Sequence, residues 1–405
     1  MENVPKENLV NRILTLLSGL CFVLPIHAQT YNIQELFGFP CSPFTCPDGQ
    51  KPNAIMEASD GNFYGVANGG PVINGGTIFK ITSSGQFTVL YTFPYNGTSD
   101  TYPNGEDPGS ITEGSDGLLY GTANAGGTSG ASSGALWRIN KNGTGFQVLE
   151  RYCTSCSSGS FPDYIVAGKD GNLYGTTSSG GIFPASGTCE GLGCGVIFRL
   201  TTSGVYTVLH AFNGTTETSY PLGITQATDG NFYGGTGAEG GGALFRITPS
   251  GTFTILSGFT GGAYALAPLT QASNGLLYGY SHVISAGTIE LFSLSLAGGF
   301  SKVAQITQPL YKQYGVGQIL QATDGNLWST AVAGGSGYGQ VFAVTTNGNA
   351  VANIAFNGSD GSFPVNGVIQ ASNGTLYGVA AKNGKTSSGG YASGDIYTIS
   401  GLPPR

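Results

Sequence analysis

Charge is what this sequence has least of. Asp, Glu, Lys and Arg together make up 9% of the chain, against about 25% in average globular proteins. Lys and Arg number only 15, and the net charge is −7. A nucleic-acid partner needs a basic footprint to displace phosphate counterions, so nucleic acid is excluded. Histidine is nearly missing, with three residues in 405. The chain is also poor in what long helices draw on, since exposed helical faces favour Glu and Lys.

What is abundant points elsewhere. Glycine supplies 69 residues, aromatics 11% and hydrophobic residues 40%. Glycine and aromatics in this proportion, with regularly placed apolar residues, describe short strands and tight turns and argue against disorder.

Residues 1–28 read as a signal peptide. Lys6 and Arg12 flank a polar start, an apolar run follows from Ile13 to Leu24, and Ala28 is a suitable small residue before a cut that leaves Gln29 first. The run is too short and too weakly flanked for a stable anchor, so no membrane span is expected. Cys21 would leave with the signal, and Leu20 before it disfavours lipidation. The six remaining cysteines form local pairs, Cys41/Cys46, Cys153/Cys156 and Cys189/Cys194. An even count after a signal peptide reads as disulfides, and locality favours neighbours among the 15 connectivities open to six cysteines. A redox or zinc reading of Cys153/Cys156 lacks the following helix or the second ligand pair that such sites use.

An internal repeat dominates the rest. The segment Asp60 to Gly65, DGNFYG, returns with variations at Asp116, Asp170, Asp229, Asn274, Asp324 and Asn373. Its fifth-position aromatics are Tyr64, Tyr120, Tyr174, Tyr233, Tyr278, Trp328 and Tyr377, spaced by 56, 54, 59, 45, 50 and 49 residues. A second element follows each copy, carrying Phe79, Trp137, Phe198, Phe245, Phe292, Phe342 and Tyr397. A third resembles Phe87 to Phe93, FTVLYTF, and a fourth precedes each turn, as in AIMEAS and GITQAT. Four short apolar runs per repeat read as four strands. The Asp-Gly and Asn-Gly pairs are expected to form type I′ hairpin turns.

This pattern predicts an all-β fold, a seven-bladed β-propeller of four-stranded antiparallel blades over residues 29–400, with residues 401–405 as a short tail. The seventh repeat stops at Ile396 to Ile399, without its last strand, while Ile33 to Phe39 forms an orphan copy. The N-terminal strand is therefore expected to complete the last blade and close the ring, removing an open edge.

The ordered pattern Asp-Gly-Asn-Leu-Tyr-Gly, a Gly-rich loop, Gly-x-x-Phe-x-Ile and Phe-Thr-x-Leu-x-x-Phe resembles the GloVer-type tandem-repeat proteins, a family of secreted bacterial proteins. The resemblance runs from about Thr30 to Ser400. It implies a propeller and export, and it implies no established enzymatic activity and no catalytic residues to carry over. Members often bear a C-terminal surface anchor, which Gly401 to Arg405 do not supply.

With strands named A to D from the channel outward, the A–B and C–D turns lie on one face. The long B–C and D–A loops, and all three cysteine pairs, lie on the other. Variable loops on a rigid scaffold are where binding concentrates. Aromatics precede strand A at Tyr102, Phe161, Tyr220, Tyr264, Tyr314 and Phe363. They read either as blade-to-blade packing or as a platform that stacks sugar rings at the loop-face mouth. His210 shares an outer-strand position with Tyr91, Glu150, Ser257 and Ala304 and reads as a surface residue, while His282, assigned to the blade-5 B–C loop, is a weak general-base candidate. Glu106, Asp107, Asp163, Glu190, Glu217, Glu239, Asp360 and Asp395 read as loop carboxylates. A pair of them at the right separation would suit glycoside hydrolysis. The repeated Asp-Gly-Asn offers too few oxygens per turn for calcium.

The expectation is a secreted or cell-surface monomer that binds an extracellular glycan or protein without catalysis. No metal and no cofactor are expected. The alternative is a polysaccharide-active lyase or glycosidase with its site on the loop face.

Overall fold

The computed structural model describes residues 31–405 except 42–45, 70–73, 98–100, 129–130, 185–188, 190, 216, 238–240, 261, 307–314, 333–336, 383 and 386–390. The signal segment 1–28 lies outside the described residues, as do Tyr314, Glu190 and Glu239.

Seven antiparallel sheets form the blades of a β-propeller, and no helix occurs among the described residues. Blade 1 runs from strand A at Gln50–Glu57 through Phe63–Asn68 and Asn74–Ile81 to strand D at Phe87–Pro94. Strand A of blades 2, 3 and 4 is Glu106–Glu113, Ser160–Ala167 and Pro221–Gln226. In blade 5 it breaks into Tyr264–Ala265 and Thr270–Gln271, and in blade 6 it shrinks to Leu320–Gln321. Blade 7 contains Ser362–Gln370, Leu376–Lys382 and Tyr391–Ser400. Its outermost strand is Asn32–Pro40, which pairs Ile33 with Ile399 and Gly38 with Asp395.

Each apolar core lies between neighbouring blades. Tyr64, Val66 and Ile78 of blade 1 pack with Leu119 and Trp137 of blade 2, and Phe63 and Phe79 pack with Tyr377 and Ile396 of blade 7. Within blades, the Gly of each Tyr-Gly pair faces the aromatic of the second element. Gly65 pairs with Phe79 and Gly378 with Tyr397. A Cβ on Gly65 would lie 2.3 Å from the Phe79 ring, so the ring occupies the space that a side chain would need. That contact ties two distant repeat elements to one another.

The Asp-Gly turns differ from the expected type. Gly61 N–H donates to Ala58 O and Ala58 N–H to Asn62 O, both at 2.9 Å, which leaves a three-residue loop. Only Gly61 has a positive φ, of 74°, and Asp60 does not. This is a type I turn followed by a left-handed glycine bulge. Type I′ would need positive φ at both central residues. Asp60 instead keeps ordinary geometry and accepts Asn62 N–H at 3.2 Å and the Tyr64 hydroxyl at 2.8 Å. The same hydroxyl-to-turn bond ties Tyr120 to Asp116, Tyr174 to Asp170 and Tyr233 to Asp229. The repeated aromatic thus buries its ring and fastens its own turn. Burial opposes ionisation of Asp60, but the bonds from Asn62 and Tyr64 outweigh it and hold the carboxyl below its usual range.

The hairpin face carries a ring of clasps. The Glu or Gln ending one strand A accepts the backbone N–H of the preceding blade's turn: Ser59 to Glu113 at 2.7 Å, Lys169 to Gln226 at 2.7 Å, Thr228 to Gln271 at 2.8 Å. Ser273 to Gln321 at 2.6 Å and Thr323 to Gln370 at 2.9 Å continue it. Blade 3 ends its strand A in Ala167, and there the Ser115 hydroxyl reaches Gly171 O at 2.9 Å instead. The tail 401–405 lies on this face, with Pro403 O accepting from Thr323 at 2.7 Å.

Candidate functional site

Strand A of every blade borders the axis, and together they enclose a channel of about 990 Å³. Asp163 and Lys169 are its only charged lining residues among those described. Both come from blade 3, Asp163 near the loop end of strand A and Lys169 in the hairpin turn beyond it.

A proline near the start of strand A sets the loop-side rim. The residue before it adopts a left-handed backbone in five blades: Lys51 at φ 46°, Asp107 at 51°, Phe161 at 55°, Tyr220 at 59° and Phe363 at 58°. Such conformations are uncommon for non-glycine residues and cost of order 1–3 kcal/mol each. Here the neighbouring blade holds them in place. Phe161 N–H donates to Ser133 O at 2.7 Å, Tyr220 N–H to Cys194 O at 3.1 Å and Phe363 N–H to Tyr338 O at 2.8 Å. The kink turns the residue after the proline toward the channel, namely Asn53, Gly109, Asp163, Leu222 and Val365.

The five described aromatics therefore occupy more than one kind of place. Phe161, Tyr220 and Phe363 are equivalent and half-buried at blade joints, next to the channel lining and outside it. Lys382 places its ammonium 4.4 Å from the Phe363 ring. Tyr102 is not their counterpart, since Asp107 holds that position in blade 2. Tyr102 sits earlier in the loop, its ring 5.1 Å from Tyr95. Tyr264 lies in the broken strand A of blade 5, and His282 Nδ1 is 3.1 Å from its hydroxyl.

The histidines are corrected by the structure. His282 belongs to the strand Leu277–Val283, where register pairs it with Tyr264, and not to a loop. His210 is no plain surface residue. It stacks flat on Phe253 of blade 4 at 3.8 Å and approaches Glu217 Oε2 at 3.1 Å. Phe37 on Phe87 and Tyr91 on Phe146 are the same joint in other blades. Burial pushes the His210 imidazole below its usual pKa, with Glu217 opposing.

The carboxylates are likewise not uniformly solvated loop charges. Glu106, Asp107 and Asp163 lie in strand A. Asp360 remains in a loop and accepts Asn357 N–H at 2.8 Å. Asp395 is fully buried in the strand Tyr391–Ser400, and neither oxygen has a hydrogen-bond partner among the described residues. Burial, reinforced by Glu35 and Asp360, pushes its pKa up to about 8. In blade 1 the matching position is Thr77, whose hydroxyl donates to Asp48 O at 2.8 Å. A protonated Asp395 reproduces that donor.

Asp163 is the other displaced acid. Burial pushes its pKa up to about 7, opposed by the nearby Ser178 hydroxyl. Beside it, Tyr164 lies over Gly223 of blade 4, and its hydroxyl approaches Gln318 of blade 6, which lines the same channel. Asn53 spends both amide hydrogens, on Asn68 Oδ1 and on Pro108 O. Asn366 donates to Asn53 O. The roles of Asn53, Tyr164, Gln318 and Asn366 were not visible in the repeat. The proline before Asn53 and Asp163 was the one available signal.

Three disulfides brace the loop face: Cys41–Cys46, Cys153–Cys156 and Cys189–Cys194. Among the described residues no group of His, Cys, Asp or Glu could hold a metal ion, and no helix is long and apolar enough to cross a membrane.

Seven repeat-built blades around an axial channel, with long loops gathered at one end, define a tandem-repeat β-propeller. The Gloeobacter/Verrucomicrobia repeat matches residues 27–188 and 107–314, and the chain belongs to that family. A search of curated proteins finds no match. A puromycin-hydrolysing peptidase from Mycobacterium tuberculosis is 13% identical at a TM-score of 0.51, over 85% of this chain and 52% of that one. A gluconolactonase from Xanthomonas campestris is 12% identical at a TM-score of 0.46, over 92% and 90%. A luciferin-regenerating enzyme is 12% identical at 0.46, over 93% and 97%. These likenesses are of fold alone.

Proposed function

We propose that this protein is an exported, non-catalytic binding module that engages a glycan or a protein through the loop face of its propeller. One observation carries the reading. The kinked rim residues, the channel mouth that they border and the disulfide-braced loops all belong to the same end of the molecule. A concave, mostly uncharged opening on a rigid scaffold is the usual form of a binding site. The disulfides and the repeat family are consistent with an oxidising, extracellular setting.

The test is a glycan array and an extracellular-protein pulldown run beside a panel of polysaccharide substrates. Binding without turnover, weakened by Phe363→Ala in folded protein, supports the reading. Turnover that disappears in Asp163→Asn overturns it in favour of a polysaccharide lyase or glycosidase.

A further inference from the structure

We infer that the loop-side half of the channel is itself a ligand cavity, which takes a neutral, hydroxyl-rich sugar residue between Asp163, Asn53 and the Tyr164–Gln318 bar. This deepens the loop-face reading and rests on it.

Size comes first. The whole channel holds about 990 Å³, so a part of it is enough for a small-molecule site, which typically takes roughly 300–1,000 Å³. Tyr164 of blade 3 and Gln318 of blade 6 approach each other across it and narrow it. The bar gives the loop-side half a floor with an aromatic surface. Asp163 immediately precedes Tyr164 and lies on the loop side of that floor.

Chemistry selects the ligand. Asn53 has both amide hydrogens committed to protein acceptors, so its Oδ1 is what remains for a ligand. Asp163 adds carboxyl oxygens. Acceptors of this kind call for a ligand that brings hydroxyl hydrogens. Among the described residues no Arg lines the cavity and Lys169 belongs to the hairpin end, so among them an anion would meet the Asp163 carboxylate without compensation. A cation is the poorer choice, because a single carboxyl that burial keeps partly protonated near neutrality gives little charge to pair with. Sugar hydroxyls suit both states of Asp163. The carboxylate accepts from them, and more strongly through its charge. The protonated acid can turn to Ser178, whose own hydroxyl reaches Phe161 O at 3.3 Å.

The experiment titrates full-length mature protein with neutral mono- and oligosaccharides of glucose, galactose, mannose, xylose and N-acetylglucosamine, by calorimetry at pH 5.5 and pH 8.5. Wild type is expected to bind one of them more tightly at the higher pH. Asp163→Ala should weaken binding at least tenfold, and Asp163→Asn should remove the pH dependence. Val351→Ala, at an exposed position on the outermost strand of blade 6, should change nothing. If Asp163→Ala does not fold, the Asp163→Asn pH profile decides. Saccharide binding that is indifferent to Asp163→Asn and Gln318→Ala overturns the cavity while the loop-face reading stands. Capture of an extracellular protein, with no saccharide bound, does the same. Glucosamine bound in preference to N-acetylglucosamine shows a cation site and overturns the inference. No ligand of either kind overturns both readings.

Discussion

Ser372 and Glu57, 315 residues apart, are joined by two hydrogen bonds, one from the Ser372 N–H at 2.9 Å and one from its hydroxyl at 2.8 Å. They clasp blade 7 to blade 1 on the hairpin face, while the Ile33–Ile399 pairing closes the outer edge of blade 7. The two contacts seal the ring where the chain begins and ends.

Glu57→Ala should cost about 1 kcal/mol, because two donors lose their acceptor at a partly exposed site. Glu57→Gln should be nearly neutral, since Gln226, Gln271, Gln321 and Gln370 make the same clasp. Urea unfolding of the three proteins checks this, and equal stability of all three would show the clasp to be energetically idle.

Gly65→Ala should destabilise blade 1 by roughly 1–3 kcal/mol, the usual cost of overpacking. The new methyl would meet the Phe79 ring and Ala54 O. Blade 6 carries Ser329 opposite Phe342, with its hydroxyl donating to Gly317 O at 2.8 Å, so Ser329→Gly should cost about 1 kcal/mol through the lost bond and not through packing. Thermal melts of both variants distinguish the two positions.

Tyr174→Phe should leave the ring packed and remove the bond to Asp170 Oδ2. The Asp170 carboxyl, now held below its ordinary pKa with help from Tyr174 and Asn172 against burial, should titrate at higher pH. Acid-induced unfolding should then begin at higher pH than in wild type. NMR titration of the Asp170 carboxyl reads the shift directly.

Asp395 sets an alkaline limit. Its folded pKa of about 8 lies above the ordinary value of 3.8, so between those values the folded state binds more protons than the unfolded one. Stability must fall as pH rises through that window. Asp395→Thr, which copies Thr77 of blade 1, should flatten the decline. Denaturant midpoints at pH 5 and pH 8.5 measure it, and an unchanged slope in the variant would assign the effect elsewhere.

Exported protein should contain no alkylatable thiol and three local disulfides, seen by peptide mass mapping without reduction. Replacing Cys189 and Cys194 together by Ala should cost roughly 2 kcal/mol, the value for a short closed loop. A larger loss would point to the packing role of these buried side chains beside Phe212.

The blade count and the four strands per blade were legible in the chain, because a repeat copies its local rules. Aromatic, glycine and turn residues recur at fixed offsets, and each reports an environment that also recurs. The orphan segment Ile33 to Phe39 was legible for the same reason. The turn type was not, since Asp-Gly is compatible with both a type I′ turn and a type I turn with a glycine bulge. Hydrogen bonding at Ala58 and Asn62 chose between them.

The channel followed from the repeat, but what lines it did not. Asp163, Tyr164 and Gln318 carry no repeat signature, and what matters is that strands of different blades bring them to one axial channel. His210 looked solvent-exposed because its own strand is outermost, yet blade 4 lays Phe253 against it. Sequence by itself determined the architecture, since blade formation depends on residues close in the chain and repeated seven times. Tertiary structure alone decided the site, since burial, charge and contact at the axis arise from residues that no local rule brings together.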